Sequence, residues 1–444
     1  MNKECTNGEM RQAAPCWFEG GKINEIRFLD YLRQRHHFRC VRGVFYDEHG
    51  RVFSDAEILN EITDALREVM ASNLNRRSRE LLALMKARWD YRLGEPDETV
   101  IHVLNGTIDL LQKRFTEKEQ FTIHRLGAPF YADAPKPKRF LEFLDQLLYP
   151  EDIPTVQEFM GYCLIPTNRA QKMLVISGTG GEGKSVLGRV IKMMLGDAAV
   201  INSVQKIATN PFARADLEHK LVMIDDDMSL SALTQTHYLK TLITLEGETD
   251  LEKKGQQSYQ GRIFARFIGL TNGSLTSLYD QSDGFYRRQI LLHTKPRDRN
   301  RVNDPYLAEY LFAEVPGILL WCLQGLDRLQ KNDYRFTESD RAKANLKKLL
   351  VEADSVRAFL QSRGYVVLDP GGCVSTADLT QAYRRFCQEN AMTPLSDASF
   401  RMRVAQRAQE LGLRQTKHIP TQQHKDVRGY LGIRLEFPEL RGER

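Results

Sequence analysis

Met173-Leu174-Val175-Ile176-Ser177-Gly178-Thr179-Gly180-Gly181-Glu182-Gly183-Lys184-Ser185 decides the fold. Its first part is a short apolar run without polar alternation, the pattern of a strand covered on both faces of a parallel sheet. Its second part fits G-x-x-x-x-G-K-[ST] completely, and Val186 to Leu195 continues it as a helical stretch. Strand, glycine loop and helix N-terminus in that order make a phosphate cradle. The glycines let the backbone aim successive N–H groups at phosphate oxygens, and the helix dipole adds to them. Gly178, Thr179, Gly180, Gly181, Glu182, Gly183, Lys184 and Ser185 are therefore the candidate nucleotide-binding residues. Lys184 offers a point charge to the β- and γ-phosphates and Ser185 a hydroxyl to Mg2+, so ATP and Mg2+ are the expected cofactors. A glycine-rich loop beside a chance lysine explains neither the spacing nor the context.

Leu221-Val222-Met223-Ile224 and Phe267-Ile268-Gly269-Leu270 repeat the texture of the first strand, and three buried strands separated by helical stretches predict an α/β core. The first of the two ends in Asp225-Asp226-Asp227. An ATPase needs one carboxylate there for the magnesium shell and one to orient or deprotonate the attacking water. Asp225 and Asp226 take these roles, with Asp225 as the candidate metal ligand; the role of Asp227 stays open. The second ends in Thr271-Asn272, which would place the Asn272 amide between the first two strand ends, within reach of the γ-phosphate or the lytic water. Asp283-Gly284-Phe285-Tyr286-Arg287-Arg288 then sets two arginines immediately before a strand. In a ring ATPase one such arginine reaches the neighbouring subunit's γ-phosphate. Between the acidic strand and Asn272 lies a short polar stretch with Lys253 and Lys254 at its centre, a hairpin suited to tracking a nucleic-acid backbone through charge.

Around this core the 444-residue chain has room for two to four domains. With 42% hydrophobic and 27% charged residues it is not a disordered chain. Seven scattered cysteines, with no C-x-x-C pair and no clustered histidines, argue for a reducing compartment and against zinc. No apolar run approaches the roughly 18 residues needed to span a bilayer, and Met1 to Gly21 lacks a hydrophobic signal core, so a cytosolic protein with a loose polar tail is expected. Ser54 with Glu57 reads as a capping box that opens a helix through Ile58, Ile62 and Leu66. Asn105-Gly106 sits between two strand-like runs as a hairpin turn, and Pro316 interrupts the helical stretch Leu307 to Leu329.

Beyond about Asp354 come short helices, including Ser375 to Glu389 and Asp397 to Leu411, and a closing strand from Leu431 to Phe437. This succession fits a small winged helix-turn-helix module. Residues 341–444 hold 18 Lys and Arg against 11 Asp and Glu, so the excess behind the net charge of +5 lies in the tail. Arg401, Arg403 and Arg407 are its candidate DNA-groove readers.

Phosphate loop, Asp-Asp strand, basic hairpin, strand ending in Asn and the Gly-Phe-Tyr-Arg-Arg segment together resemble a superfamily 3 helicase core. More closely, the chain resembles the helicase half of the phage and plasmid-type primase-helicases, the group that includes the poxvirus primase-helicase. Asn105 to Leu110 and Glu158-Phe159-Met160-Gly161-Tyr162 resemble that group's helical domain. Tyr383-Arg384-Arg385-Phe386-Cys387, followed by Pro394-Leu395-Ser396 and Phe400, resembles its C-terminal winged helix. The resemblance implies an AAA+ P-loop ATPase core at 166–340, preceded by a flexible tail at 1–27 and a mainly helical domain at 28–165, and followed by a winged-helix DNA-binding domain at 341–444. It further implies that Lys184 and Ser185 contact phosphate and magnesium, that Asp225 and Asp226 form the acidic pair, and that Asn272 is the sensor. Arg287 or Arg288 would be the finger acting in trans, and Lys253 and Lys254 would occupy the translocation hairpin.

The implied function is an ATP-dependent DNA helicase of a phage, plasmid or integrated mobile element, a homo-oligomeric, hexameric ring acting on single-stranded and forked DNA or an origin duplex in the cytoplasm of a bacterial host. Fewer than 30 residues precede the helical domain, so primer synthesis would fall to a separate primase or replisome partner. The alternative is an origin-binding initiator or regulator whose winged helix does the work while ATP only switches assembly. A packaging or transposition ATPase fits the order of motifs less well.

Overall fold

The computed structural model describes residues 15–436 apart from 92–93, 95, 119, 229–235, 245–246, 254–256, 273–282, 298–303, 354, 363, 391, 393, 409–410 and 420–426. The chain is a mixed α/β protein. The three apolar runs become Met173–Ser177 (β1), Val222–Asp225 (β3) and Arg266–Thr271 (β4), joined by Ala199–Ile201 (β2) and Gln289–His293 (β5). Helix α1, Lys184–Leu195, follows β1, and the short helix α2, Val204–Thr209, follows β2. The five strands form one sheet in the order β2-β3-β4-β1-β5. The pairs β2/β3, β3/β4 and β4/β1 run parallel, with Ile224 opposite Ile268 and Leu270 opposite Ile176. Every residue of β1, β3 and β4 is buried, as continuous apolar runs require in a sheet covered on both faces. The order sets β4 between β1 and β3, so the tips that follow these three strands are neighbours. Such a sheet is compatible with a nucleotide-binding core.

Two compact units divide the chain, the larger within Met1–Met228, His237–Gly273 and His293–Glu338. Its N-terminal part begins folded where a loose tail was expected, and short strands accompany the helices of the region that follows. Trp17 is buried with its ring 4.8 Å from Phe28, and Phe18–Glu19 pairs with Lys22–Ile23, so the described residues before 28 are folded. Helices Glu25–His36, Asp55–Arg67 and Leu74–Arg88 share their core with the strands Arg39–Val41, Val44–Tyr46 and Val52–Phe53. The Ser54 capping box is present, with Glu57 N–H on Ser54 Oγ at 3.2 Å and Ser54 N–H on Glu57 Oε2 at 2.7 Å. A second antiparallel sheet joins Val100–Val103, Gly106–Asp109 and Arg114–Thr116. Leu104 and Asn105 form the hairpin tip, and Gly106 opens the return strand. Strands of two or three residues are too short to write an alternating pattern, whereas the four-residue pair around Asn105 alternates and is legible as a hairpin.

Helices Ile153–Tyr162 and Val315–Lys331 cross closely. A Cβ at Gly161 would run into the Cys322 carbonyl, and one at Gly325 into the Gln157 carbonyl, so both positions need glycine. Beside this crossing the Glu158 carboxylate is fully buried. It accepts from Arg328 Nε at 2.6 Å and from the Thr337 amide and hydroxyl at 2.7 Å each. Arg328→Met leaves that buried carboxylate without its cation. Because the arginine is half exposed, the expected loss is about 2–3 kcal/mol, read as a shift in the urea midpoint of unfolding.

Among the described residues no single helix is long and apolar enough to cross a membrane. Helices Leu307–Ala313 and Val315–Lys331 bend by 69°, with Pro316 in the first turn of the second, and that helix buries Ile318, Leu319, Leu326 and Leu329.

The second unit contains Ser339–Arg444 together with Ser229–Thr236 and Ser274–Leu292. From residue 355 on its elements are helix Ser355–Leu360, strand Val366–Ser375, helices Thr376–Glu389 and Asp397–Ala408, and strands Arg414–Ile419 and Val427–Leu435. Val427–Leu435 lies between the other two strands and is antiparallel to both. Tyr383 anchors this unit: its ring stacks on Phe400 at 4.3 Å, its hydroxyl accepts from Leu395 N–H at 3.1 Å, and it shares a hydrogen bond with Ser355 at 2.6 Å.

Candidate functional site

The loop after β1 turns through Gly180, Gly181 and Gly183, whose φ angles of 109°, 79° and 115° are open to glycine alone at little cost. Gly178 leaves room for polar side-chain ends. A Cβ there would lie 2.6 Å from both Lys184 Nζ and Thr294 Oγ1. Lys184 is 8% exposed, and its ammonium donates to Glu182 Oε2 at 2.8 Å and to Asn272 Oδ1 at 3.1 Å. The Lys184–Asn272 contact realises the expected placement of Asn272 between the strand ends, since β4 runs between β1 and β3. Ser185 is exposed at the start of α1 and lines a cleft of about 340 Å³ with Lys184, Asp226, Asp227 and Asn272.

The acidic run divides at the end of β3, with Asp225 its last residue and Asp226 and Asp227 in the turn beyond it. Ile224 and Asp226 face α1: a Cβ at Gly188 would lie 3.6 Å from Ile224 Cγ2 and 3.5 Å from Asp226 Oδ1. Asp225 faces the other way. It is 6% exposed, and its Oδ2 accepts from the Val204 amide at 2.7 Å, capping α2, where Ser203 makes no side-chain cap. Burial pushes the Asp225 carboxyl above the usual range, against the pull of the Val204 amide. The structure therefore brings Asp226 and Asp227 to the phosphate loop and turns Asp225, the expected metal ligand, away from it.

Glu182 also lies in the loop, with one oxygen on the amides of Thr179 and Gly180 and the other on Lys184. Burial disfavours its charge, but the Lys184 ammonium, the Thr179 hydroxyl and the loop amides outweigh burial and hold its pKa down at about 2. One further cation went unnoticed in the sequence. Arg297, four residues beyond β5, brings its Nη1 to 3.0 Å from where a Cβ of Gly181 would be. Its position past the end of a strand that neighbours β1 was the available signal.

The remaining candidates are placed as follows. Arg287 is exposed, whereas the Arg288 guanidinium donates to the Gly284 carbonyl of the same short segment. Lys253 does not extend into solvent. Its ammonium donates to the Arg42 carbonyl at 3.0 Å, lies 3.7 Å from the buried Glu218 and faces the Tyr259 ring at 5.1 Å. Lys254 is outside the described residues. On helix Asp397–Ala408, Arg401 is exposed, Arg403 and Arg407 are half-buried, and Phe400 and Val404 point into the core.

Residues 176–288 match the model of a family of unknown function, DUF5906. The fold is similar to the apo structure of the NrS-1 C-terminal region, residues 305–718, with a TM-score of 0.54 and 10% identity over 92% of this chain and 99% of that one. A second apo structure of that region, the A form, aligns with a TM-score of 0.49 at 10% identity over 91% of this chain and 98% of that one. At this identity the similarity concerns the fold alone.

Proposed function

We propose that the chain is an ATP-driven, ring-forming DNA helicase of a phage, plasmid or other mobile-element replication system. The observation that carries this reading is the convergence of Lys184, Asn272 and Asp226 from the ends of three adjacent strands onto one cleft. A cation, an amide and a carboxylate at that spacing are the parts a phosphoryl-transfer site needs to grip phosphate, sense it and orient water. Ser185 and Asp226 fit Mg2+, because a hydroxyl and a carboxylate face the same cleft; the ion would neutralise phosphate charge there. Asn272, at hydrogen-bond distance from Lys184, holds the ammonium towards the cleft. Arg287, exposed beside its engaged neighbour, is the finger offered to the next subunit of a homo-oligomeric, hexameric ring. The topology beyond residue 355, with a helix bearing an exposed Arg401 ahead of an antiparallel pair, supports a winged-helix module for DNA.

The test is Mg·ATP hydrolysis with and without single-stranded DNA, together with strand displacement on a forked duplex. Asp226→Asn is expected to lower hydrolysis at least ~100-fold, and Asp225→Asn far less, because Asp225 is turned away from the cleft to the Val204 amide. Equal loss in both variants would remove the assignment of Asp226.

One observation favours a second reading, an origin-binding initiator or regulator in which ATP only switches assembly: Lys253 is anchored on Glu218 and Arg42 instead of being presented to a strand. Hydrolysis and duplex binding without any displacement of the fork would select it. The nucleic-acid partners, the ring and a separate primase all belong to this proposal.

A further inference from the structure

Glu182, buried beside the cleft, occupies hydrogen-bond donors of the loop that lines it. Its Oε1 accepts from the Gly180 amide at 2.8 Å, from the Thr179 hydroxyl at 2.8 Å and from the Thr179 amide, while its Oε2 takes the Lys184 ammonium at 2.8 Å. The residue is 2% exposed. Loop amides and the lysine ammonium are also the donors that a phosphate would use in this loop. One donor set cannot serve two anions at contact distance, since like charges that close repel strongly in a poorly solvated site.

We propose that Glu182 is a resident anion of the phosphate loop, satisfying its donors in the empty state, and that the phosphates of a nucleotide bind by displacing it. Glu182 is then an affinity-setting residue, and the inference rests on the reading of this cleft as a nucleotide site. Two features allow the exchange. Gly181 and Gly183 flank the glutamate with backbone angles that side chains disfavour, so the peptide units on either side can rotate without a Cβ clash. Lys184 keeps a second partner, Asn272 Oδ1 at 3.1 Å, that holds its ammonium at the cleft when the carboxylate leaves. The competition concerns phosphate and not the base, so it extends to inorganic pyrophosphate and leaves adenosine untouched.

The experiment compares wild type with Glu182→Gln in calorimetric titrations with Mg·ATP, pyrophosphate and adenosine, and follows thermal unfolding in each case. The expected result is at least tenfold tighter binding of Mg·ATP and of pyrophosphate by Glu182→Gln, unchanged adenosine binding, a lower Tm without ligand and a larger rise in Tm with Mg·ATP. Mg·ATP bound by wild type but no more tightly by Glu182→Gln overturns the inference and leaves the nucleotide site standing. No binding of Mg·ATP or pyrophosphate by either protein overturns the nucleotide reading itself, and the inference with it. Should Glu182→Gln lose its cooperative transition, Glu182→Asp is used. It keeps the charge but reaches one methylene less, so it too is expected to bind Mg·ATP more tightly than wild type; equal or weaker binding overturns the inference.

Discussion

Lys184→Ala is expected to reduce ATP hydrolysis to background, a fall of at least ~10²–10³-fold, with DNA stimulation lost as well. The size of the effect follows from where the ammonium sits. It is 8% exposed, at hydrogen-bond distance from both Glu182 and Asn272, and water cannot replace a fixed charge there without being ordered itself. Arginine should not substitute, because a planar guanidinium cannot stand in for the compact ammonium held between the Glu182 carboxylate and the Asn272 amide oxygen. Phosphate release under saturating Mg·ATP is the measurement, and wild-type turnover in Lys184→Ala would sink the proposed function.

Arg287→Ala is expected to lower hydrolysis by about 10³-fold or more while Mg·ATP binding changes little, because a finger acts on charge that develops in the transition state and contributes little to the ground state. Arg288→Ala should cost far less turnover, since that guanidinium already serves the Gly284 carbonyl. The sharper test mixes two inactive proteins. A subunit with Arg287→Ala keeps its own phosphate loop, and a subunit with Lys184→Ala keeps its arginine. Where the second lies beside the first, a complete site is rebuilt across the boundary. Partial recovery of hydrolysis on mixing is the expected outcome, and none at any ratio would remove the action in trans.

The sheet was legible because β1, β3 and β4 are apolar on both faces, and a run without alternation has few other uses. The position of Asn272 was legible by the same logic, since a polar residue at the tip of a buried strand has only the sheet's edge to face. The register of Asp225 to Asp227 was not. Which carboxylate meets the loop depends on where β3 ends and on the need of Val204 for a cap, neither of which is written near the aspartates. The anchoring of Lys253 was hidden for a similar reason, because its partner Arg42 lies 211 residues away. Trp17 was lost within a polar stretch, where one buried aromatic ring outweighs its charged neighbours in the folded chain but not in an average.

The strand order has a consequence for how such a protein diverges. The loop after β1 and the tips of β4 and β3 are one step apart along a hydrogen-bond ladder, roughly 4.8 Å each, so the distances between cation, amide and carboxylate are written in the main chain. Apolar side chains in the sheet can be exchanged and the connecting loops lengthened without moving the three groups. Only a reordered strand or a slipped register would separate them. Sequence drift thus erases the resemblance between relatives long before it disturbs their chemistry.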